Sequence, residues 1–280
     1  MIELRVGGDF SPIIVATCRR EGPKVLSDPA SVSFSRRFWP LVLLGLIGVA
    51  SLPLIMLPSL RVLIRNGQAP GLSLETLAAL TLIQPALLLI AGAAIGAACA
   101  PRLGFTSHVA KVHVHGPFVR ELPAAVASGI ATGIVIVVLD VALFSHVAHI
   151  SSSPRAIVHG LVGGLLYGGL SEEIMMRWGL MSLVAWVGVR VIARGNASAP
   201  ASVCVAAIVI VALLFAAGHL PAALTTAPFT ATLLVRILLL NGLAGLVFGW
   251  LFWRRSLEAA MVAHASVHAV FAAGQAFGWG

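Results

Sequence analysis

The sequence predicts an all-α fold, a polytopic transmembrane helical bundle of about seven spans, with an eighth as the alternative. Three observations carry that prediction. Of the 280 residues, 59% are hydrophobic and only 10% charged, and the mean hydropathy is +1.01, whereas a water-soluble domain takes roughly a quarter of its residues from the charged set to cover its surface. The apolar residues fall in runs long enough to cross about 30 Å of hydrocarbon, which needs roughly 20 residues at about 1.5 Å each. The runs are unbroken rather than alternating, so backbone groups deprived of water close their bonds within helices and not between barrel strands.

Residues 1–37 are polar and basic and read as a cytoplasmic N-terminal segment. No short apolar core with a small-residue cleavage site precedes the first run, so insertion is expected to rely on that run itself. Residues 38–154 then carry N-terminal transmembrane helices near 38–58, 76–100 and 123–147, with Pro53 and Pro85 expected to kink the first two. Residues 155–280 carry four more, near 155–193, 201–219, 229–253 and 256–278. The 155–193 run is too long for a simple span. It is tilted, broken near its glycines, or extended past the membrane, and no polar loop divides it. Gly160, Gly164 and Gly168 recur every fourth residue, as do Asn241, Gly245 and Gly249, a spacing that lets helix backbones approach closely.

Positive residues gather on the cytoplasmic side of membrane proteins. With the N-terminus inside, thirteen Lys and Arg face the cytoplasm and three, Arg61, Arg65 and Arg155, face out. That asymmetry predicts an odd number of crossings and a C-terminus outside. The net charge of +8 and pI of 11.0 are thereby explained by topology. The basic residues form no stripe interleaved with aromatics, so nucleic acid is not an expected partner. Cys18, Cys99 and Cys204 lie far apart without a CxxC pair and read as small apolar residues, not as a disulfide framework.

Ionisable side chains at membrane depth cost several kcal/mol on insertion scales, so each is a functional candidate. They are Asp140, His159, Glu172, Glu173, Arg177, His219, Arg236, His264 and His268, with His146 and His149 near a helix end. Adjacent helical residues point about 100° apart, so Glu172 and Glu173 are expected to take different roles. Arg177 lies four beyond Glu173 on the same stripe, which pairs those two and leaves Glu172 to face a cavity; taken alone, the three read equally as a structural charge cluster. His219 ends an apolar run one turn after Phe215, where a lone histidine is often only interfacial. His264 and His268, four apart, project from one face, a spacing that suits metal ligation or a pair of hydrogen-bond donors, though both could simply bond nearby carbonyls. Asp140 either pairs with Arg236 or is neutral. His108, His113 and His115 cluster in a basic loop and read as surface residues.

In order, Glu172-Glu173…Arg177, Phe215…His219 and His264…His268 resemble the Glu-Glu-x-x-x-Arg, Phe-x-x-x-His and His-x-x-x-Asn motifs of the CPBP family, the CAAX-prenyl-endopeptidase and bacteriocin-processing intramembrane proteases also called Abi. The resemblance covers residues 155–278. It departs at the last position, where the family commonly has Asn and this chain has His268. The resemblance implies an intramembrane endopeptidase acting on a membrane-associated protein or peptide, with residues 155–280 as its catalytic core. Glu172 and His219 would then activate a water, His264 and His268 would stabilise the oxyanion, and Glu173, Arg177 and Phe215 would support them. It also favours metal-free chemistry. One carboxylate and three imidazoles, Glu172, His219, His264 and His268, could instead hold zinc with a position open for water, although the soluble His-Glu-x-x-His signature is absent. The competing class is a non-enzymatic membrane protein, a proton-coupled carrier or an interaction scaffold. No inverted pair of broken helices supports a carrier, and a scaffold has no need of polar residues on three helices.

Overall fold

A computed structural model describes residues 32–145, 153–192, 199–225 and 227–278. Most of the basic N-terminal segment, including Cys18, lies outside the described residues, as do His146, His149 and Arg194. Among the described residues seven helices are long and apolar enough to cross a membrane: α1 Phe34–Arg65, α2 Leu74–Leu103, α3 Leu122–Phe144, α4 Pro154–Ile192, α5 Ala201–Ala223, α6 Ala231–Arg254 and α7 Leu257–Ala276. No strand occurs among the described residues, where one isolated bridge joins Ser107 and Val112. The all-α bundle is therefore as the sequence predicts, and α4 is one helix, so no eighth crossing is found among the described residues.

Local chemistry sets the helix limits. The side chains of Ser33, Ser73, Ser153, Thr230 and Ser256 each accept the N–H three residues on, which caps α1, α2, α4, α6 and α7. Gly104, at φ 76°, ends α2 in the left-handed conformation that glycine adopts without strain. Pro53 and Pro85 lie inside α1 and α2, which run on through them. Large aliphatic side chains such as Leu43, Leu87 and Val138 face outward, a surface that only lipid covers favourably. Cys99 and Cys204 are buried, as their apolar settings suggest.

Close contacts at glycines set the helix directions. A Cβ on Gly45 would meet Leu89, so α1 and α2 pack side by side, and one on Gly245 or Gly249 would meet Ala212 or Ile208 of α5. The 241–249 stripe thus serves close α5–α6 packing, as expected. Gly129 and Gly133 of α3 face Ala263 and Val270 of α7, so these two run parallel, while Gly164 and Gly168 of α4 face His268 and His264, so α4 and α7 run antiparallel. One end of the bundle accordingly holds the start of α1, the end of α2, the start of α3 and the α6–α7 turn.

That end is covered by the loop 104–121. Phe105, Ala110 and Val112 are buried, and the Phe105 ring lies 4.8 Å from that of Phe252 on α6. Glu258, at the start of α7, accepts bonds from the Ser107 hydroxyl (2.7 Å) and the N–H groups of His108 and Val109 (both 3.0 Å). The Leu257 N–H donates to the Thr106 carbonyl, and Ser256 donates to Glu121 at 2.5 Å. The expectation that the histidines here are plain surface residues is corrected for two of them. His108 is half-buried against Glu121 at 3.4 Å, and the His113 ring donates to the Pro101 carbonyl at 2.8 Å. His115 is exposed. The loop folds back on α7 because its own unpaired backbone donors need the Glu258 carboxylate.

Candidate active site

The middle of α4 is wound more widely than an α-helix, with π-type bonding over Gly164–Glu172 and again over Ile174–Met181. Such stretches are rare and concentrate at functional sites. The over-long segment is therefore neither cut nor broken at its glycines. Bonding five residues apart also brings Tyr167 and Glu172 to one side of the helix, where both line the same cavity.

From this stretch the two carboxylates diverge. Glu173 is fully buried, and its Oε1 lies 3.2 Å from Nη1 of Arg177, itself buried. Arg177 also donates to the Gly245 carbonyl at 3.3 Å, with the Phe215 ring 4.7 Å and the Phe248 ring 5.3 Å from its guanidinium carbon. The expected Glu173–Arg177 pair thus forms, held between two aromatic rings that favour a cation. The Glu172 side chain keeps 18% exposure and faces a cavity, as its position on the helix suggested.

The two carboxylates nevertheless meet at one imidazole. His264 Nδ1 shares a hydrogen bond of 2.7 Å with Glu173 Oε1, and its Nε2 lies 3.9 Å from Glu172 Oε2. The Glu173 carboxylate thus contacts His264 as well as Arg177. The His264 ring stacks between Phe248 (4.6 Å) and His268 (5.2 Å).

Space for the two imidazoles comes from α4. A Cβ on Gly164 would overlap the His268 ring, and one on Gly168 would sit 3.0 Å from His264 Nε2 and 3.1 Å from His268 Nε2. The 160–168 stripe was expected to bring backbones together; at Gly164 and Gly168 it clears room for side chains instead, and at Gly160 nothing lies within 4 Å.

His219 closes the group from α5. It caps the helix segment Ala201–Gly218, and its Nδ1 donates to the Phe215 carbonyl at 2.8 Å. That bond fixes the tautomer and leaves Nε2 with a lone pair. Phe215 bridges α5 to α7, its ring 4.7 Å from that of His219 and 5.9 Å from that of His264. Helix limits drawn from sequence put His219 and His264 at different depths; in the fold both line the first cavity.

The first cavity, of about 370 Å³, lies between α3, α5, α6 and α7 and reaches His219, His264 and His268. Apolar side chains including Ile136, Leu240 and Phe271 wall it. Asp140 and Arg236 also line it, joined by two bonds of 2.6 Å with 31% and 25% of their side chains exposed. The Asp140–Arg236 pairing is thus the alternative that forms. The second cavity, of about 300 Å³, lies against α4 and holds Glu172, Tyr167, His219 and His268. His219 and His268 belong to both.

Glu172, His219, His264 and His268 are therefore brought together, with Glu173, Arg177 and Phe215 around them. His159, also a candidate at membrane depth, lines neither cavity. Tyr167 was missed by sequence reasoning, which looked for charge; its signal was its place five residues before Glu172 in a glycine-rich stretch. Among the described residues no three His, Cys, Asp or Glu side chains are grouped so as to hold one metal ion. Nδ1 of His219 and of His264 is engaged by the Phe215 carbonyl and by Glu173, a bond that metal-ligating imidazoles also make through their second nitrogen, so it does not decide for or against a metal.

Residues 154–270 match the family model for Type II CAAX prenyl endopeptidase Rce1-like proteins, which bears out the likeness read from the motifs. The match starts where α4 starts and ends within α7, so it takes in every residue of the cluster. No curated protein and no solved structure matches the chain.

Proposed function

We propose that a seven-helix chain with this CAAX-endopeptidase match is an intramembrane endopeptidase. It hydrolyses a peptide bond of a membrane-associated protein or peptide, with the N-terminus cytoplasmic and the C-terminus outside. The family match supports a protease of CAAX type. The observation that carries the residue-level reading is the convergence of Glu172 and Glu173 on His264, beside two cavities that share His219 and His268.

Water reaches Glu172 in the second cavity and the substrate segment fills the apolar first one. Glu172 takes a proton from the water while Nε2 of His219 accepts its other hydrogen, so the hydroxide attacks the scissile carbonyl carbon. His264 and His268 donate to the resulting oxyanion. The 2.7 Å bond between Nδ1 and Glu173 holds the His264 ring in place for that donation. As the C–N bond breaks, Glu172 returns its proton to the leaving amine. Glu173 and Arg177 position His264 and touch no substrate.

The reaction proceeds without metal in this reading, and elemental analysis of purified protein, with chelation and zinc add-back, tests that choice. The role of Glu172 is tested by comparing membrane proteomes of cells carrying the wild-type chain or Glu172→Gln. Substrates that accumulate uncleaved only in the variant are the expected result; identical processing in both would overturn the proposal.

A further inference from the structure

The two cavities and the basic loops lie at opposite ends of the bundle. The first cavity is lined at its mouth by Phe144 and Ser145 at the end of α3, Arg236 near the start of α6, and Gln275 at the end of α7. The second reaches Ile55 late in α1, Ile157 early in α4 and again Gln275. Because the helices alternate in direction, all of these belong to the end that carries only Arg61, Arg65 and Arg155 in its connections. The opposite end carries Arg36, Arg37, Arg102, Lys111, Arg120, Arg190, Arg254 and Arg255. It is closed beneath the site by the loop 104–121, with Phe105 and Val112 buried and Glu258 tying the loop to α7.

We infer that the site is reached from the extracytoplasmic face, and that its substrate is an apolar segment which a membrane-associated protein or peptide presents on that side. The inference deepens the endopeptidase reading and rests on it for the word substrate. The direction of access rests on geometry and charge alone. Positive residues retained on the cytoplasmic side assign the plugged end to the cytoplasm, and the end at which the cavities open among the described residues to the outside. From Gln275 at the mouth to His264 is eleven residues of α7, about 16 Å at 1.5 Å per residue. That depth takes an extended peptide segment of about five residues at roughly 3.3 Å each. Besides the Asp140–Arg236 pair, whose charges cancel, the site histidines and the neutral Ser145, Asn241 and Gln275, the walls are apolar, so a largely apolar segment is the complement.

Cysteine accessibility tests this without any substrate. With Cys18 replaced by Ser, the two remaining cysteines are buried, and single cysteines are introduced as Ser145→Cys, Gln275→Cys or Lys111→Cys. Each is treated with a membrane-impermeant maleimide in right-side-out and in inverted vesicles. Ser145→Cys and Gln275→Cys should label at least tenfold faster in right-side-out vesicles, and Lys111→Cys at least tenfold faster in inverted ones. Labelling of the mouth positions from the inverted side would overturn the inference, as would labelling of Lys111→Cys and Ser145→Cys from the same side. Because labelling needs no turnover, this outcome is separate from that of Glu172→Gln: an inert wild-type protein that labels as predicted would sink the hydrolase reading and leave the direction of access standing.

Discussion

Glu173→Gln should be the most damaging single change to stability that keeps a side chain's shape. Glu173 and Arg177 are buried to 0% and 1% exposure and lie 3.2 Å apart. Removing the carboxylate's charge leaves the guanidinium with one carbonyl bond of 3.3 Å and two ring faces. Breaking a buried ion pair from one side costs about 3–5 kcal/mol, because the remaining charge is desolvated without compensation. The ring faces return about 1–2 kcal/mol of that at most, so a net loss of about 1–4 kcal/mol is expected. Replacing both partners, as Glu173→Gln with Arg177→Met, removes the stranded charge and should recover at least half of the loss. Thermal unfolding in detergent, followed by helix signal, reads all three proteins. A Glu173→Gln protein within about 0.5 kcal/mol of wild type, or a double variant no better than the single, would refute the idea that this pair is one compensated unit.

Gly168→Ala should lower turnover about tenfold or more with little loss of helix stability, since its methyl crowds both imidazole Nε2 atoms at 3.0 and 3.1 Å and small misplacements of reacting groups are costly; Gly242→Ala, with nothing within 4 Å, should not, and a peptide-cleavage assay separates them. Charge reversal at Asp140 alone should destabilise the fold by about 1–2 kcal/mol, a value reduced for the partial exposure of the pair, and the swap Asp140→Arg with Arg236→Asp should restore most of it in the same unfolding assay. The loop clasp should respond to pH. The bond to Glu121 is the largest influence on His108 and holds its pKa above the ordinary 6.5 against burial, with Glu258 adding to the rise. Burial acts on Glu121 most and upward, but the bonds from His108 and Ser256 and the charge of Arg255 outweigh it and hold the carboxyl below the ordinary 4.5. His108 therefore contributes stability below pH 6.5 that disappears as pH rises through its folded pKa, and Glu121 contributes stability above pH 4.5 that disappears as pH falls through its own. Melting temperature against pH should decline on both sides of that window, and His108→Asn should flatten the alkaline side; an unchanged profile would count against the clasp.

Much of the bundle was legible in the sequence because the bilayer imposes one length scale and one backbone solution. Run length located all seven helices, and the spacing of Glu173 and Arg177 predicted their ion pair before any coordinates. Depth was not legible: His219 ends a helix while His264 lies inside one, and only the packing of Phe215 against both rings shows how they meet. The π-type winding of α4 was hidden for a different reason. Five-residue bonding leaves no compositional mark, and the contact between Glu173 and His264, on two different helices 91 residues apart, has no signal in local spacing. The glycines of that stretch looked like a backbone-packing stripe because sequence shows where a side chain is missing, and not what fills the gap. The folded-back loop 104–121 was read as surface since its anchor, Glu258, lies about 150 residues away in the chain.

The convergence of Glu172 with three imidazoles is most directly tested by the cleavage rate of a quenched fluorogenic transmembrane-peptide library by purified, reconstituted protein, wild type against Glu172→Gln. A general base of this kind contributes about 10²–10⁴-fold, so the variant should lose at least a hundredfold in turnover while remaining folded by helix signal and melting temperature. A Glu172→Gln protein that cleaves within a few-fold of wild type would contradict the assignment of Glu172 as the group that activates water.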